Sequence, residues 1–236
     1  MNKTMFIPAA LAAFFISQGA QALDANEEIT PSSEGFKYLV YAVTWQPSFC
    51  KLKPETTGCT KPPQTFLTHG IWPYNNSVGQ KTNRHPASCN TAPSCQSTTA
   101  CDISDNTLEQ ISNTPAIAQL VTAAPQGMFR YEWKKHGTCS GQTDVNYFND
   151  IVRLRKSVMY IEPMFNTWIG RGVTLAQLKN AFPTHVSFRC FVLDGKQYLH
   201  EAFYSINADG TPYKQDPFLQ IGIPCTSDAI FIPAGG

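Results

Sequence analysis

The sequence predicts one α+β domain, a mainly antiparallel β-sheet packed against several α-helices and stapled by disulfides. Runs rich in aromatic and β-branched residues lie toward both ends of the chain, with helical periodicity between them. Eight cysteines follow an apolar leader. The length, 236 residues, suits a single domain, and neither a repeat nor a linker-like stretch divides it.

The leader has a short positive region at Lys3, an apolar run over residues 6–16 and a small-x-small site at Ala20-Gln21-Ala22. That is the pattern of a cleaved export signal. Residues 1–22 are therefore set aside, leaving a domain over 23–236 that is expected in the periplasm or outside the cell. The alternative is an apolar N-terminal helix of the fold. The run is short for a bilayer, and no later one approaches a span's length. An even number of cysteines in an exported chain implies disulfides. Structural zinc is disfavoured, since no C-x-x-C pair is present.

Of 18 Lys and Arg, only Lys3 lies in the leader, so 17 basic residues face 17 acidic ones in the remainder. A formally neutral chain is unsuited to broad electrostatic wrapping of nucleic acid but can still hold a local phosphate site. A monomer is expected.

Taken in order, residues 23–34 read as a polar, acidic arm and 36–46 as a buried strand ended by Pro47. Cys50 and Cys59 bracket a short polar loop and are natural partners by proximity, as are Cys95 and Cys101. Residues 66–72 form a second strand stopped by Pro73, and 74–102 a long loop stapled by cysteines. His85, beside Pro86, falls in that loop. A helix capped by Ser104 or Asp105 runs to about Asn113, and residues 117–123 continue it past Pro115. Residues 128–136 form the next helix, and 144–159 a longer one with an apolar stripe of Tyr147, Phe148, Ile151, Leu154 and Val158. Its Arg153, Arg155 and Lys156 read as a solvated face. Thr174 and Gln177 make a capping box for a short helix. Strands over 186–193 and 199–206 flank the turn Asp194-Gly195, and a last short strand covers 229–233.

Two stretches carry chemistry. In Phe129-Arg-Tyr-Glu-Trp-Lys-Lys-His-Gly-Thr-Cys139, Glu132, Lys135 and His136 share one helical face at i, i+3 and i+4. An acid, a cation and an imidazole together suit proton transfer beside an anion. Gly137 offers a helix C-cap, and Trp133 reads as the core anchor of this helix. In Thr68-His-Gly-Ile-Trp-Pro73, His69 stands at a strand end beside a glycine that lets a ligand approach, and Trp72 offers a stacking surface for a base.

Together, "THGIWP" and "FRYEWKKHGTC" resemble the two active-site segments of the ribonuclease T2 family in order and separation. "YAVTWQPSFC" resembles that family's opening strand, and Tyr131 with the export signal makes the chain look closest to bacterial members. The resemblance implies metal-independent endonucleolytic cleavage of single-stranded RNA, without cofactor and with low base specificity, through a 2′,3′-cyclic phosphate to a 3′-phosphate. DNA, lacking the 2′-hydroxyl, is expected to resist. It implies His136 as general base, His69 as general acid and Lys135 as stabiliser of the transition-state charge. Glu132 would orient Lys135 and His136 or act while protonated; its plainer reading is a helical salt bridge to Lys135. Many family members carry a phosphate-binding histidine where this chain has Tyr131, so Arg130 or Lys134 is a candidate to compensate. The resemblance also implies Cys89–Cys139 and Cys190–Cys225. Two rival functions are a metal hydrolase built on His69, His85 and His136, and a catalytically silent RNA-binding module of the same fold.

Overall fold

The computed structural model describes residues 23–95 and 101–236. The expected export signal lies outside them. The chain runs β1 (Glu27–Ile29), β2 (Tyr38–Trp45), α1 (Gln46–Leu52), β3 (Phe66–Tyr74), β4 (Asn83–His85), α2 (Asp105–Ser112), α3 (Pro115–Ala118), α4 (Gln126–Lys135), α5 (Asp144–Arg153), α6 (Glu162–Asn166), β5 (Gly172–Val173), α7 (Leu175–Ala181), β6 (Val186–Leu193), β7 (Lys196–Ile206) and β8 (Ile230–Phe231). Helices between strands, on a mainly antiparallel sheet, are the α+β arrangement expected. Among the described residues no helix is long and apolar enough to cross a membrane.

The six-stranded sheet is centred on β7. One edge of β7 pairs with β6; the other pairs first with β8, in parallel, and then antiparallel with β2 over residues 201–206. β3 lies outside β2. The apolar run of β2 is buried at every position because it serves two cores. Alternate side chains point to opposite faces. Leu39, Tyr41, Val43 and Trp45 enter the main core with the helices, while Tyr38, Val40 and Ala42 enter a smaller cluster with Trp72, Tyr74 and Phe203.

Two β-bulges break this alternation, and both matter for the site. Opposite β2, Ala42 pairs with Gly70 and Val43 with Thr68, so His69 is the extra residue. Between β6 and β7, Arg189 pairs with Glu201 and Cys190 with Leu199, so His200 is the extra residue. A bulge reverses the side-chain phase of everything beyond it. Leu199 and Ala202, three apart, therefore both face the main core, and Glu201 faces away from it beside Phe203.

Several expectations need correction. Pro47 does not merely end β2; it opens α1 in the first helical turn, where its missing N–H costs nothing. β3 continues through Pro73 to Tyr74, since an edge strand tolerates proline. The N-terminal arm and the long loop each contribute a short strand, β1 and β4, which pair in parallel. Past Pro115 the helix is only α3. The helix over 144–159 stops at Arg153 and tightens into a 3-10 turn at Arg155–Ser157. That turn swings Arg155 inward, where it donates to Phe66 O (2.8 Å) and Thr68 Oγ1 (3.3 Å). The capping box of Thr174 and Gln177 is present as expected. The disulfides are Cys50–Cys59, Cys89–Cys139, Cys95–Cys101 and Cys190–Cys225.

Candidate active site

His69 and the end of α4 meet across the β3 edge, on the sheet face away from the main core. A cleft of about 780 Å³ opens there, lined by His69, Trp72, Tyr131, Glu132, Lys134, Lys135, His136 and Arg189 among others.

Each side chain is held for a local reason. The bulge re-aims His69 out of the ladder. Its neighbour Thr68 is braced on three sides: by the Tyr41 hydroxyl (2.9 Å), by Arg155, and by its own N–H donating to Leu120 O (2.7 Å). Gly70 is required by close approach, because a Cβ there would collide with the Glu132 carboxylate and the Trp72 indole. α4 is anchored by Trp133, 1% exposed, whose indole donates to Cys101 O at 2.7 Å. Gly137 does not act as a left-handed C-cap. His136 caps α4, a 3-10 turn over Gly137–Cys139 follows, and Gly137 is needed because the Trp133 ring packs against its Cα. Cys139 then ties this end of α4 to Cys89.

Glu132 is buried, accepts from Trp72 Nε1 at 2.5 Å, and sets Oε1 3.4 Å from His69 Nε2. Among the described residues it forms no ion pair with Lys135, whose ammonium instead lies 5.7 Å above the Tyr131 ring. The plain helical salt bridge is thus replaced by a carboxylate turned under the sheet edge toward His69. Trp72, expected to offer a face to a base, is 5% exposed and stacks on His136 at 5.0 Å. Its ring serves the site wall by bracing both Glu132 and His136, and little of it is left for a base. Tyr131 stands half exposed at the rim. Arg130 cannot compensate for it, since it pairs with Asp105 and donates to Ile103 O, away from the cleft. Lys134 does line the cleft.

The structure adds residues that the motifs did not contain. His69 Nδ1 lies 2.6 Å from Glu201 Oε1, and Arg189 donates to Glu201 Oε2 at 3.1 Å. The signal available was a carboxylate inside the otherwise apolar strand Tyr198-Leu-His-Glu-Ala-Phe-Tyr204. His85 is not a loose loop residue. It belongs to β4, is 1% exposed, stacks on Tyr74 (5.1 Å) and shares a hydrogen bond between Nε2 and Glu27 (3.0 Å), closing one wall of the cleft 5.5 Å from the His136 ring. Among the described residues no three His, Cys, Asp or Glu side chains converge to hold a metal ion.

The two histidines are driven apart electrostatically. Burial works against protonating His69, but Glu201 and then Glu132 outweigh it and hold the imidazolium up to about 9. Burial pushes His136 well below its ordinary value, helped by the nearby charges of His85, Lys135 and His69. Burial raises Glu132, opposed by His69, the Trp72 N–H and Lys135. Glu201 moves the other way, because His69 overcomes its burial and keeps it ionised.

The family model for the ribonuclease T2 family matches residues 36–215, which include both motifs. The chain belongs to the ribonuclease T2 family. Among its relatives, the extracellular ribonuclease LE of Solanum lycopersicum is 24% identical over 207 residues, covering 81% of this chain and 85% of that protein. A ribonuclease of Aeromonas hydrophila is 28% identical over 143 residues, 60% of this chain and 52% of its own. Ribonuclease MC1 from bitter gourd seeds shares the T2 fold with a TM-score of 0.59 at 20% identity, covering 84% of this chain and all of that one. RNase NT, crystallised with 5′-AMP, gives 0.60 at 20% identity over 84% of this chain and 98% of that one.

Proposed function

We propose that this T2-family protein is an exported endoribonuclease that cleaves single-stranded RNA by transesterification. The observation that carries the reading is the convergence of His69 and His136 on one cleft beside Lys135, with His69 in contact with two carboxylates and His136 with none among the described residues. Where environments push two titratable groups apart, the acid and base roles follow. His136, neutral at neutral pH, takes the proton of the ribose 2′-hydroxyl. The oxygen attacks the adjacent phosphorus, and the bond to the 5′-oxygen breaks. His69, an imidazolium at neutral pH, gives its proton to that leaving oxygen. The products are a 2′,3′-cyclic phosphate and a free 5′-hydroxyl. In the second step water replaces the 5′-hydroxyl, the roles reverse, and the 3′-phosphate remains. Lys135 stabilises the charge that builds on the non-bridging oxygens. Glu132, held by Trp72 and close to His69 Nε2, orients the acid.

Digestion of a defined RNA oligonucleotide tests this. Cyclic-phosphate ends are expected first and 3′-phosphate ends later, with activity retained in EDTA. A substrate with 2′-deoxyribose throughout should remain intact. Steady DNA cleavage, or loss of activity in EDTA with rescue by zinc, overturns the mechanism. A chain that binds the RNA without cutting it is the silent module instead.

The pH profile follows with a definite sign. Activity needs His136 neutral and His69 charged, so kcat/KM should rise through a midpoint below 6.5, the ordinary histidine value, and fall again through about 9. A profile with a single limb, or one falling near pH 6.5, contradicts the assignment.

A further inference from the structure

We propose that Glu201 is the positioning residue of the general acid: its buried carboxylate, clamped by Arg189 and Thr44, accepts a hydrogen bond from His69 Nδ1 and so turns Nε2 toward the cleft. This deepens the ribonuclease reading and rests on it for the role of His69.

The argument is geometric. An ionised carboxylate only accepts, so a 2.6 Å contact at Nδ1 requires the proton to sit on Nδ1. In the neutral ring that leaves Nε2 as the atom without a proton, and Nε2 is the atom facing Glu132 at 3.4 Å. The general acid is thus reprotonated only at Nε2, on the cleft side. Glu201 itself is 1% exposed and has no freedom to turn. Thr44 Oγ1 donates to Oε1 at 3.1 Å and Arg189 to Oε2 at 3.1 Å. Arg189 is braced in turn. Gly222, at φ +63°, leaves no side chain beneath the guanidinium, and Cys190 next to Arg189 is bonded to Cys225. The bulge at His200 exists in this strand where it turns Glu201 out of the apolar core and into this contact. A carboxylate left facing that core would be an unpaired buried charge.

Charged and titratable groups surround His69 from three elements. Glu132 and His136 come from the end of α4 with Lys135 on the same cleft, Arg189 from β6, and Glu201 and His200 from β7. Of these, Glu201 makes the shortest contact and is the one touching Nδ1.

The experiment is a histidine-selective NMR titration of wild type, Glu201→Gln and Arg189→Met, with kcat/KM profiles on a dinucleotide in parallel. Wild type should show His69 as the Nδ1–H tautomer above its midpoint. Glu201→Gln should lower that midpoint by about 1–3 pH units, the usual effect of one opposite charge in contact. The high-pH limb of kcat/KM should fall by the same amount while KM changes little. Arg189→Met removes a cation and should raise the His69 midpoint. If Glu201→Gln does not fold, the wild-type tautomer still decides, since a neutral ring protonated at Nε2 and not at Nδ1 excludes the contact with the Glu201 carboxylate. An unchanged midpoint in Glu201→Gln, or a neutral wild-type ring protonated at Nε2, overturns the proposal. Failure of the wild type to cut RNA overturns the ribonuclease reading instead, and the NMR arms report on Glu201 regardless.

Discussion

Replacing His136 or His69 with alanine should lower kcat on single-stranded RNA by about 10²–10⁴-fold in each case, the usual contribution of one general acid or base. The two losses should not multiply. Once one proton-transfer partner is gone the other has little left to assist, so the double variant should lie close to the worse single one. The variants should also differ in a way their surroundings dictate. His136 is buried with its Nδ1 unpartnered among the described residues, so removing the ring costs little hydrogen bonding; its stacked neighbour Trp72 loses one face. His69 is the counter-charge of two buried carboxylates, and its loss leaves Glu201 with Arg189 and the more distant His200 (3.9 Å), and Glu132 with no charged partner in contact among the described residues. His69→Ala should therefore be the less stable of the two. Urea melts check this, with single-turnover kinetics giving the chemical step. Near wild-type cleavage by either variant would move the chemistry elsewhere.

Part of this site is legible in the sequence alone. Glu132, Lys135 and His136 follow one another at helical spacing, and residues local in sequence keep their relation when the helix forms. His69 is readable because a glycine and a proline punctuate its strand. What the sequence hides is non-local. Glu201 reaches His69 across 132 residues, and nothing in either strand announces a bulge. A bulge is visible only when two strands are aligned, since its content is one residue more on one side than on the other. Without it, alternation would send Glu201 into the apolar core, so strand periodicity misleads at the position that matters. Trp72 is ambiguous for a related reason. An aromatic ring beside a catalytic histidine suits a base platform or a brace equally well, and the choice depends on a helix that is distant in sequence. Arg155 likewise reads as solvated because a regular helix would carry it outward; the 3-10 turn does not.

Lys135→Ala should cost about 10²–10³-fold in kcat, comparable to removing one preorganised donor at a developing oxyanion. The reason lies in where the phosphate must sit. It faces the C-terminal end of α4, the negative end of the helix dipole, whereas helices hold anions at the other end. Backbone N–H groups cannot compensate there, so positive charge has to come from side chains. Tyr131 brings none, and Arg130 is turned toward Asp105. Lys135 is next to the base, half-buried and free of any carboxylate partner among the described residues, with its ammonium over the Tyr131 ring. In the proposed mechanism Tyr131 acts through Lys135, whose ammonium lies 5.7 Å from its ring, which is a different way of serving the phosphate from donating a charge. Lys134 is exposed on the same wall and makes the natural control. Its removal should change KM more than kcat, and the change should fade as salt screens it. Lys135→Ala should keep its kcat loss at high salt, because its partner is the reacting phosphate itself. Steady-state kinetics of both variants at low and high ionic strength separate the two. If Lys135→Ala lost no more than Lys134→Ala, and both losses vanished in salt, the lysine would only attract RNA, and transition-state charge would have to be stabilised by another group on the cleft.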